Sequence, residues 1–223
     1  QDYYELVPFR IRSNYFKSKM ETNRSTTFGT IEIKVSRSNI LKDTFDALSK
    51  INPMCLKGVL RIIFTGERGI DAGGLTAEWF TYVTKELFNP DYGLFIQNEN
   101  NCYHPSSLSY LNEEHLEYFK LAGKIIALAL YQNQCLNAHL SLAFYRQILH
   151  QNIKITDLQD FDDTLYNSLK GILDIDDVSD LCLTFAIDDD QFGKITTIEL
   201  VENGENVEVT NENRMEYDSL YAN

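Results

Sequence analysis

Cysteine, proline and tryptophan are scarce in this sequence: 223 residues hold four Cys, four Pro and one Trp. The cysteines, Cys55, Cys102, Cys135 and Cys182, form no Cys-x-x-Cys pair, which argues against a structural zinc site. They are also too sparse for a disulfide scaffold, so a reducing cytosolic or nuclear compartment is the expectation, with each thiol acting as a small buried hydrophobe. Long apolar runs are missing as well. The longest, Ile125 to Tyr131, falls far short of the ~20 residues that a membrane helix needs, so no membrane insertion is expected. The opening Gln1-Asp2-Tyr3-Tyr4-Glu5 lacks the basic stretch and apolar core of a signal peptide. Positive charge is short too: the net charge is −13, and binding to phosphates rests on clustered Lys and Arg, so nucleic acid is not an expected partner.

What is present is enough for a real core. Hydrophobic residues make up 43% and aromatics 12% of the chain, the composition of a globular protein of one or two compact domains. The negative charge is unevenly placed. Between Ile155 and Asp190 there are eleven Asp, no Glu and one basic residue, Lys170, so this window carries −10 of the −13. A solvated acidic face that aids solubility accounts for it. So does a surface that attracts a basic protein partner and speeds its encounter.

The periodicity alternates between strand and helix. Ile31-Glu32-Ile33-Lys34-Val35 reads as a strand, and Ser38 is placed to cap a helix carrying Ile40, Leu41, Phe45 and Leu48. Val59 to Phe64 is a β-rich run. A glycine-rich loop, Gly66 to Gly74, leads into Leu75, Trp79, Val83 and Leu87 at helical spacing, closed by Asn89-Pro90. Leu94 to Ile96 forms a brief strand. Asn112 is the expected cap of a strong helix, with Leu111 and Leu116 as a hydrophobic staple. Gly123 and Ala127 leave a smooth stripe on that helix. Ala138 to Leu149 is expected as a further helix. The composition shift near His150 marks a boundary, with Asp162 or Asp163 capping a helix through Leu173 and Leu181 to Ile187 as a strand. Ile195 to Leu200 and Val207 to Thr210 are expected to form a hairpin turning at Asn203-Gly204. Thr210 starts a last helix.

Several constellations invite chemistry. The glycine-rich loop between a strand and a helix has the outline of a phosphate cradle, but it lacks a Gly-Lys-Ser/Thr ending, and Glu67, Asp71 and Glu78 would repel phosphate. A structural turn is the plainer reading. Cys135 and His139 lie four apart, yet nothing nearby supplies an orienting group or an oxyanion donor. The Asp clusters at 174–177 and 188–190 lack the alternating ligands, central Gly and closing Glu of an EF-hand loop. No metal and no cofactor is expected. The most informative set lies in the acidic window: Leu165, Leu169 and Ile172 line one helical stripe, Leu181 and Leu183 alternate in the following strand, and Tyr217 and Tyr221 are four apart on the last helix. Core packing explains such stripes, and so does a groove open to a partner, because a small acidic subdomain has little core of its own.

Three stretches, in order, resemble the HECT ubiquitin-ligase family. The first is Leu60 to Phe80, containing Gly66-Glu67-Arg68-Gly69-Ile70-Asp71-Ala72-Gly73-Gly74. The second is His115-Leu116-Glu117-Tyr118-Phe119-Lys120-Leu121-Ala122-Gly123-Lys124. The third pairs Asp162-Asp163-Thr164-Leu165-Tyr166-Asn167-Ser168-Leu169-Lys170 with Thr210-Asn211-Glu212-Asn213-Arg214-Met215-Glu216-Tyr217. The resemblance implies part of an N-lobe that docks a ubiquitin-conjugating enzyme, so that ubiquitin passes to a C-lobe cysteine and then to a substrate lysine. It also implies that the C-lobe, with its Thr-Cys-Phe motif, is absent from these residues, so that no catalytic residue is expected here. Protein substrate would be engaged by regions outside this chain, with ubiquitin as a further partner. Carried over by position, the docking residues are Leu165, Ser168, Leu169, Ile172, Leu181, Leu183, Tyr217 and Tyr221. Gly171 falls where a relative has an acidic residue.

The expected fold is α+β, with a helix-rich larger subdomain over residues 1–150, a small acidic α/β subdomain over 151–209, and the start of a returning helix over 210–223. A non-catalytic interaction domain with a HECT-like lobe is the alternative. A small phosphate-ligand enzyme built on the Gly66–Gly74 loop is a second, and it requires an anion bound there.

Overall fold

In a computed structural model of the chain, residues 6–22, 29–67, 73–191 and 194–223 are described. Residues 68–72 of the glycine-rich loop, which the phosphate reading needs, lie outside them. The fold is mixed α and β, as expected, and the backbone divides into two compact units: Gln1–Ile96 with Pro105–Ala138, and Gln97–His104 with His139–Asn223. The boundary expected near His150 falls inside the second unit, which takes in a helix (Leu142–Ile148) and a strand contributed by residues 102–104.

In the first unit, strand β1 (Thr30–Val35) runs parallel to β2 (Val59–Phe64), with Ile33 opposite Ile62. Parallel neighbours need a crossover, and helix α2 (Ile40–Ser49) provides it. Alternation puts Ile31, Ile33 and Val35, with Leu60, Ile62 and Phe64, on the buried side. Helix α3 (Gly74–Leu87) adds Trp79, Phe80, Val83 and Leu87 to that core. Trp79 Nε1 donates to Thr44 Oγ1 on α2 at 3.0 Å, so the one indole N–H is satisfied within the core. Ser38 does not cap α2. It lies in a short 3-10 turn (Arg37–Asn39), and the cap position falls to Asn39. Asn39 makes no side-chain cap hydrogen bond, and Asp43 in the first turn of α2 accepts from the Ser36 amide, ahead of the 3-10 turn, at 2.7 Å.

Helix α1 (Phe9–Thr22) buries none of its residues. Strand β3 (Phe95–Gln97) comes close to its expected position. Helix α4 (His115–Gln132) begins three residues later than Asn112, which instead accepts from the Glu114 amide in the preceding turn. Leu111 and Leu116 are both exposed, so no staple seals that end. Leu121, Ile125, Leu128 and Ala129 form the buried face of α4, while Gly123 and Ala127 line an open apolar cavity of about 350 Å³ with Met20, Pro53, Leu56 and Leu128.

In the second unit, β4 (Cys102–Pro105) pairs in parallel with β5 (His139–Leu140), which occupies the start of the segment expected to be helical. Helix α5 (Leu142–Ile148) follows because Ser141 caps it, accepting from the Phe144 amide at 3.1 Å. The same hydroxyl lies 2.8 Å from His104 Nδ1. That ring stacks on Phe161 at 4.0 Å, and its burial lowers the imidazole pKa. Helix α6 (Ile155–Leu158) carries the buried Asp157, which is ion-paired with Arg146 of α5. Helix α7 (Asp163–Asp174) starts where Asp162 accepts from the Leu165 amide at 2.8 Å. Antiparallel strands β6 (Ala186–Gln191) and β7 (Lys194–Glu199) form a ribbon, and helix α8 (Arg214–Tyr221) comes last.

The expected hairpin does not form, because β7 pairs with β6 instead. Asn203-Gly204 does not join two ladder strands. Asn203, at φ 59°, starts a 3-10 turn (Gly204–Asn206). Residues 207–209 return beside 183–185, through Phe185 N to Val207 O and Val209 N to Leu183 O, each at 2.9 Å. The dipeptide turns the chain as its chemistry dictates, but residues 207–209 lie beside 183–185 rather than 195–200, because strand pairing is a long-range choice that a turn signal does not specify.

Candidate functional site

The candidate site is built from three separated segments of the second unit: α7, residues 181–185 and α8. Two buried clusters lie beneath it. One holds Ala143, Ile153, Leu158, Leu169 and Ala222; the other holds Val178, Phe185, Val209 and Tyr217. Both clusters are covered by the same two half-buried side chains, Ile172 and Tyr221. Leu165 packs on the first cluster and Leu183 on the second. The apolar stripe of α7 and the paired tyrosines of α8 therefore do converge.

They do not converge with equal exposure. Leu169 is 1% exposed and Tyr217 3%, so both are core residues rather than lining. Leu165, Ile172, Leu183 and Tyr221 are half-buried and Ser168 is exposed. Leu181 is 43% exposed, and it reaches its place by a different route from the one expected. Residues Val178–Leu181 form a 3-10 turn ending at Cys182, whose φ of 49° is left-handed. Leu181 and Leu183 thus do not alternate along one strand; the chain reverses its twist between them. The Ser168 hydroxyl donates to Thr164 O at 2.8 Å, a bond within its own helix, which leaves its outer surface uncommitted to the fold.

Ring geometry holds α8 in place. Tyr217 meets Phe185 edge-on at 5.4 Å and Tyr221 at 5.8 Å. Polar side chains tie the start of α8 to the acidic turn after α7. The Arg214 guanidinium donates to Ile175 O at 2.6 Å, Asn211 donates to Asp176 O at 3.0 Å, and Asn211 Oδ1 accepts from the Val178 amide at 3.1 Å. Asn213 in turn accepts from the Thr210 amide at 2.7 Å. In the sequence Asn211 and Arg214 stand out only as members of the third family-like stretch, and their latching role needs spatial neighbours 33 to 39 residues away. Asp218 was also missed. It is buried on the same face of α8, a placement its spacing from Arg214 and Ala222 would have given.

Among the described residues no group of three or more His, Cys, Asp or Glu is arranged to hold a metal ion. No helix among them is long and apolar enough to cross a membrane. At the glycine-rich loop, Arg37 already receives two carboxylates. It pairs with Glu67, and its NH1 lies 2.7 Å from Glu78. Its guanidinium sits 4.3 Å from the Phe64 ring centre. The hydrogen bonds from Arg37 hold both glutamate pKa values below their ordinary range. The charge of Arg37 is thereby balanced by side chains of its own fold.

The HECT-domain (ubiquitin-transferase) family model matches residues 81–223. The chain is 36% identical over 219 residues to the E3 ubiquitin-protein ligase TOM1-like of Neurospora crassa, covering 96% of this chain and 5% of that protein. It is 39% identical over 194 residues to the E3 ubiquitin-protein ligase pub1 of Schizosaccharomyces pombe, covering 86% and 25%. Against the E3 ubiquitin-protein ligase Nedd-4 of Drosophila melanogaster the identity is 38% over 218 residues, covering 95% and 21%. The chain spans a quarter or less of the length of each of these three relatives.

Proposed function

The chain belongs to the HECT-domain family, and from that membership we propose that its second unit docks a ubiquitin-conjugating enzyme. Docking raises the local concentration of the carried ubiquitin beside a cysteine that the family bears on a separate lobe. The intact protein is on this reading a ubiquitin-protein transferase working through a cysteine thioester, with substrate lysine as final acceptor. The single observation that carries the proposal is the convergence of Leu165, Ile172, Leu183 and Tyr221, all half-buried, over two apolar clusters. Half-buried aliphatic and aromatic side chains at the meeting of three segments provide a shallow slot for one apolar anchor of a partner. The four free cysteines suit a cytoplasmic or nuclear setting.

The test uses a residue at the rim that the fold does not need. Ser168→Arg is expected to weaken binding of a conjugating enzyme at least tenfold, about 1.4 kcal/mol or more, with no change in the thermal midpoint. Calorimetry across a panel of conjugating enzymes checks it, and unchanged affinity in every case would remove α7 from the interface.

The acidic window makes a second, kinetic prediction. Encounter with a basic partner is accelerated by long-range attraction and screened by salt. The association rate is therefore expected to fall severalfold between low and physiological ionic strength, with the dissociation rate nearly constant. Stopped-flow mixing reads both rates, and a salt-independent association rate would assign the aspartates to solubility alone.

A further inference from the structure

One buried acid is used neither by the packing nor by the docking contacts. Asp218 follows Tyr217 directly on α8 and precedes Tyr221 by three residues. It is 1% exposed, and neither carboxyl oxygen has a hydrogen-bond partner among the described residues. Tyr217, one residue before it, and Ala222, one turn after it, belong to two different buried clusters. A carboxylate there is removed from water without compensation, a costly arrangement that a neutral carboxyl largely avoids.

The surrounding charges do little to relieve it. On α8 itself Arg214 lies one turn earlier, but its guanidinium is committed to Ile175 O. The two tyrosines on the same helix, Tyr217 and Tyr221, give its carboxyl oxygens no hydrogen bond. On α7, Asp163, Lys170 and Asp174 are exposed, as are Asp177 and Asp180 on the following turn. On the strand side, Glu199, Glu202 and Glu208 are exposed too. Asp157 on α6 is buried but paired with Arg146. Arg214 alone among these charges acts on Asp218, and it acts against burial without overcoming it.

We propose that Asp218 is a pH-responsive positioning residue of the docking groove: the protonated carboxyl lets α8 seat Tyr217 and Tyr221 against Phe185 and Ile172, and loss of its proton to solvent loosens that seat. The proposal rests on the docking reading for the consequence, and on the buried, unpartnered carboxyl for the cause. Burial pushes the pKa from its ordinary 3.8 up to about 6. The folded state thus holds the proton more tightly than the unfolded chain does. The stability this group contributes is complete below the unfolded pKa and is lost as pH rises through the folded one, between roughly 4 and 6.

The experiment compares the 223-residue chain with its Asp218→Asn variant, which cannot ionise, and with Asp218→Leu in case the buried amide itself prevents folding. Urea midpoints by far-ultraviolet circular dichroism are followed from pH 4.5 to 7.5, and affinity for a conjugating enzyme is measured at pH 5.5 and 7.5. Relative to either variant, the wild-type midpoint is expected to drop as pH rises, and its affinity to weaken at least threefold where the variants' does not. Parallel profiles for wild type and variant overturn the proposal, as does failure of both variants to fold at every pH. A midpoint slope abolished by substitution, with no conjugating enzyme bound at any pH, overturns the docking reading and leaves the titration standing.

Discussion

Leu169→Ala is expected to lower the stability of the second unit by about 2–5 kcal/mol, the range for deleting a buried leucine side chain. Apolar spacing leaves core and groove both open for this residue, and the family resemblance places it in the groove. A leucine on the docking stripe reads as a binding hot spot whose truncation costs about 1–3 kcal/mol of affinity and little of the fold. The structure seals it under Ala143, Ile153, Leu158 and Ala222, with Leu165 and Ile172 packed over the same cluster. Leu169 is the only fully buried residue of α7, so it anchors that helix to the rest of the unit. Its cavity walls come from α5, α6, α8 and the segment between α5 and α6, and walls fixed by so many elements collapse poorly. Urea unfolding read by circular dichroism checks the expectation. Trp79 fluorescence is the matching control: the sole tryptophan is fully buried in the first unit, so its transition is expected to shift less. An unchanged midpoint with weakened binding would return Leu169 to the groove.

Gly204→Ala is expected to be the second large effect, a loss of roughly 1–3 kcal/mol, the usual range for overpacking. A Cβ at Gly204 would stand 2.1 Å from the carbonyl oxygen of Phe185, closer than any real contact, and 3.0 Å from its carbonyl carbon. Backbone cannot swing aside as a flexible side chain does. That carbonyl also accepts from the Leu200 amide at 2.8 Å, and the Phe185 ring is the edge-on partner of Tyr217. Displacing it disturbs the floor of the candidate groove. At Gly171, on α7, the same added methyl meets nothing within 4 Å, which isolates the close approach, rather than glycine itself, as the cause. A thermal melt of the variant checks this, and a midpoint equal to wild type would mean that the 183–185 segment yields easily.

The elements written in local chemistry were legible. The alternation of Ile31 to Val35, the helical spacing of Leu75, Trp79, Val83 and Leu87, and the cap at Asp162 each appear as read. Where reading failed, a local signal was outvoted. Ser38 lies inside the 3-10 turn that precedes α2 rather than at its cap, and Ser141 caps α5 three residues after Ala138, because β5 takes the residues between. The alternation of Leu181 and Leu183 is visible in the sequence and implies one strand, whereas the left-handed backbone at Cys182 between them is not visible there.

Family membership and the identity of the segments that meet at the candidate site were thus determined by the sequence, since motif order and apolar spacing survive in one dimension. Which of those side chains face solvent was decided only by tertiary structure. Burial depends on neighbours from other segments: Ala222 and Ile153 pack with Leu169, and Phe185 and Val209 with Tyr217, while Leu165 and Tyr221 stay half-buried and Ser168 exposed. The unpartnered carboxyl of Asp218 is of the same kind, for a side chain is stripped of water only by what the rest of the chain brings against it.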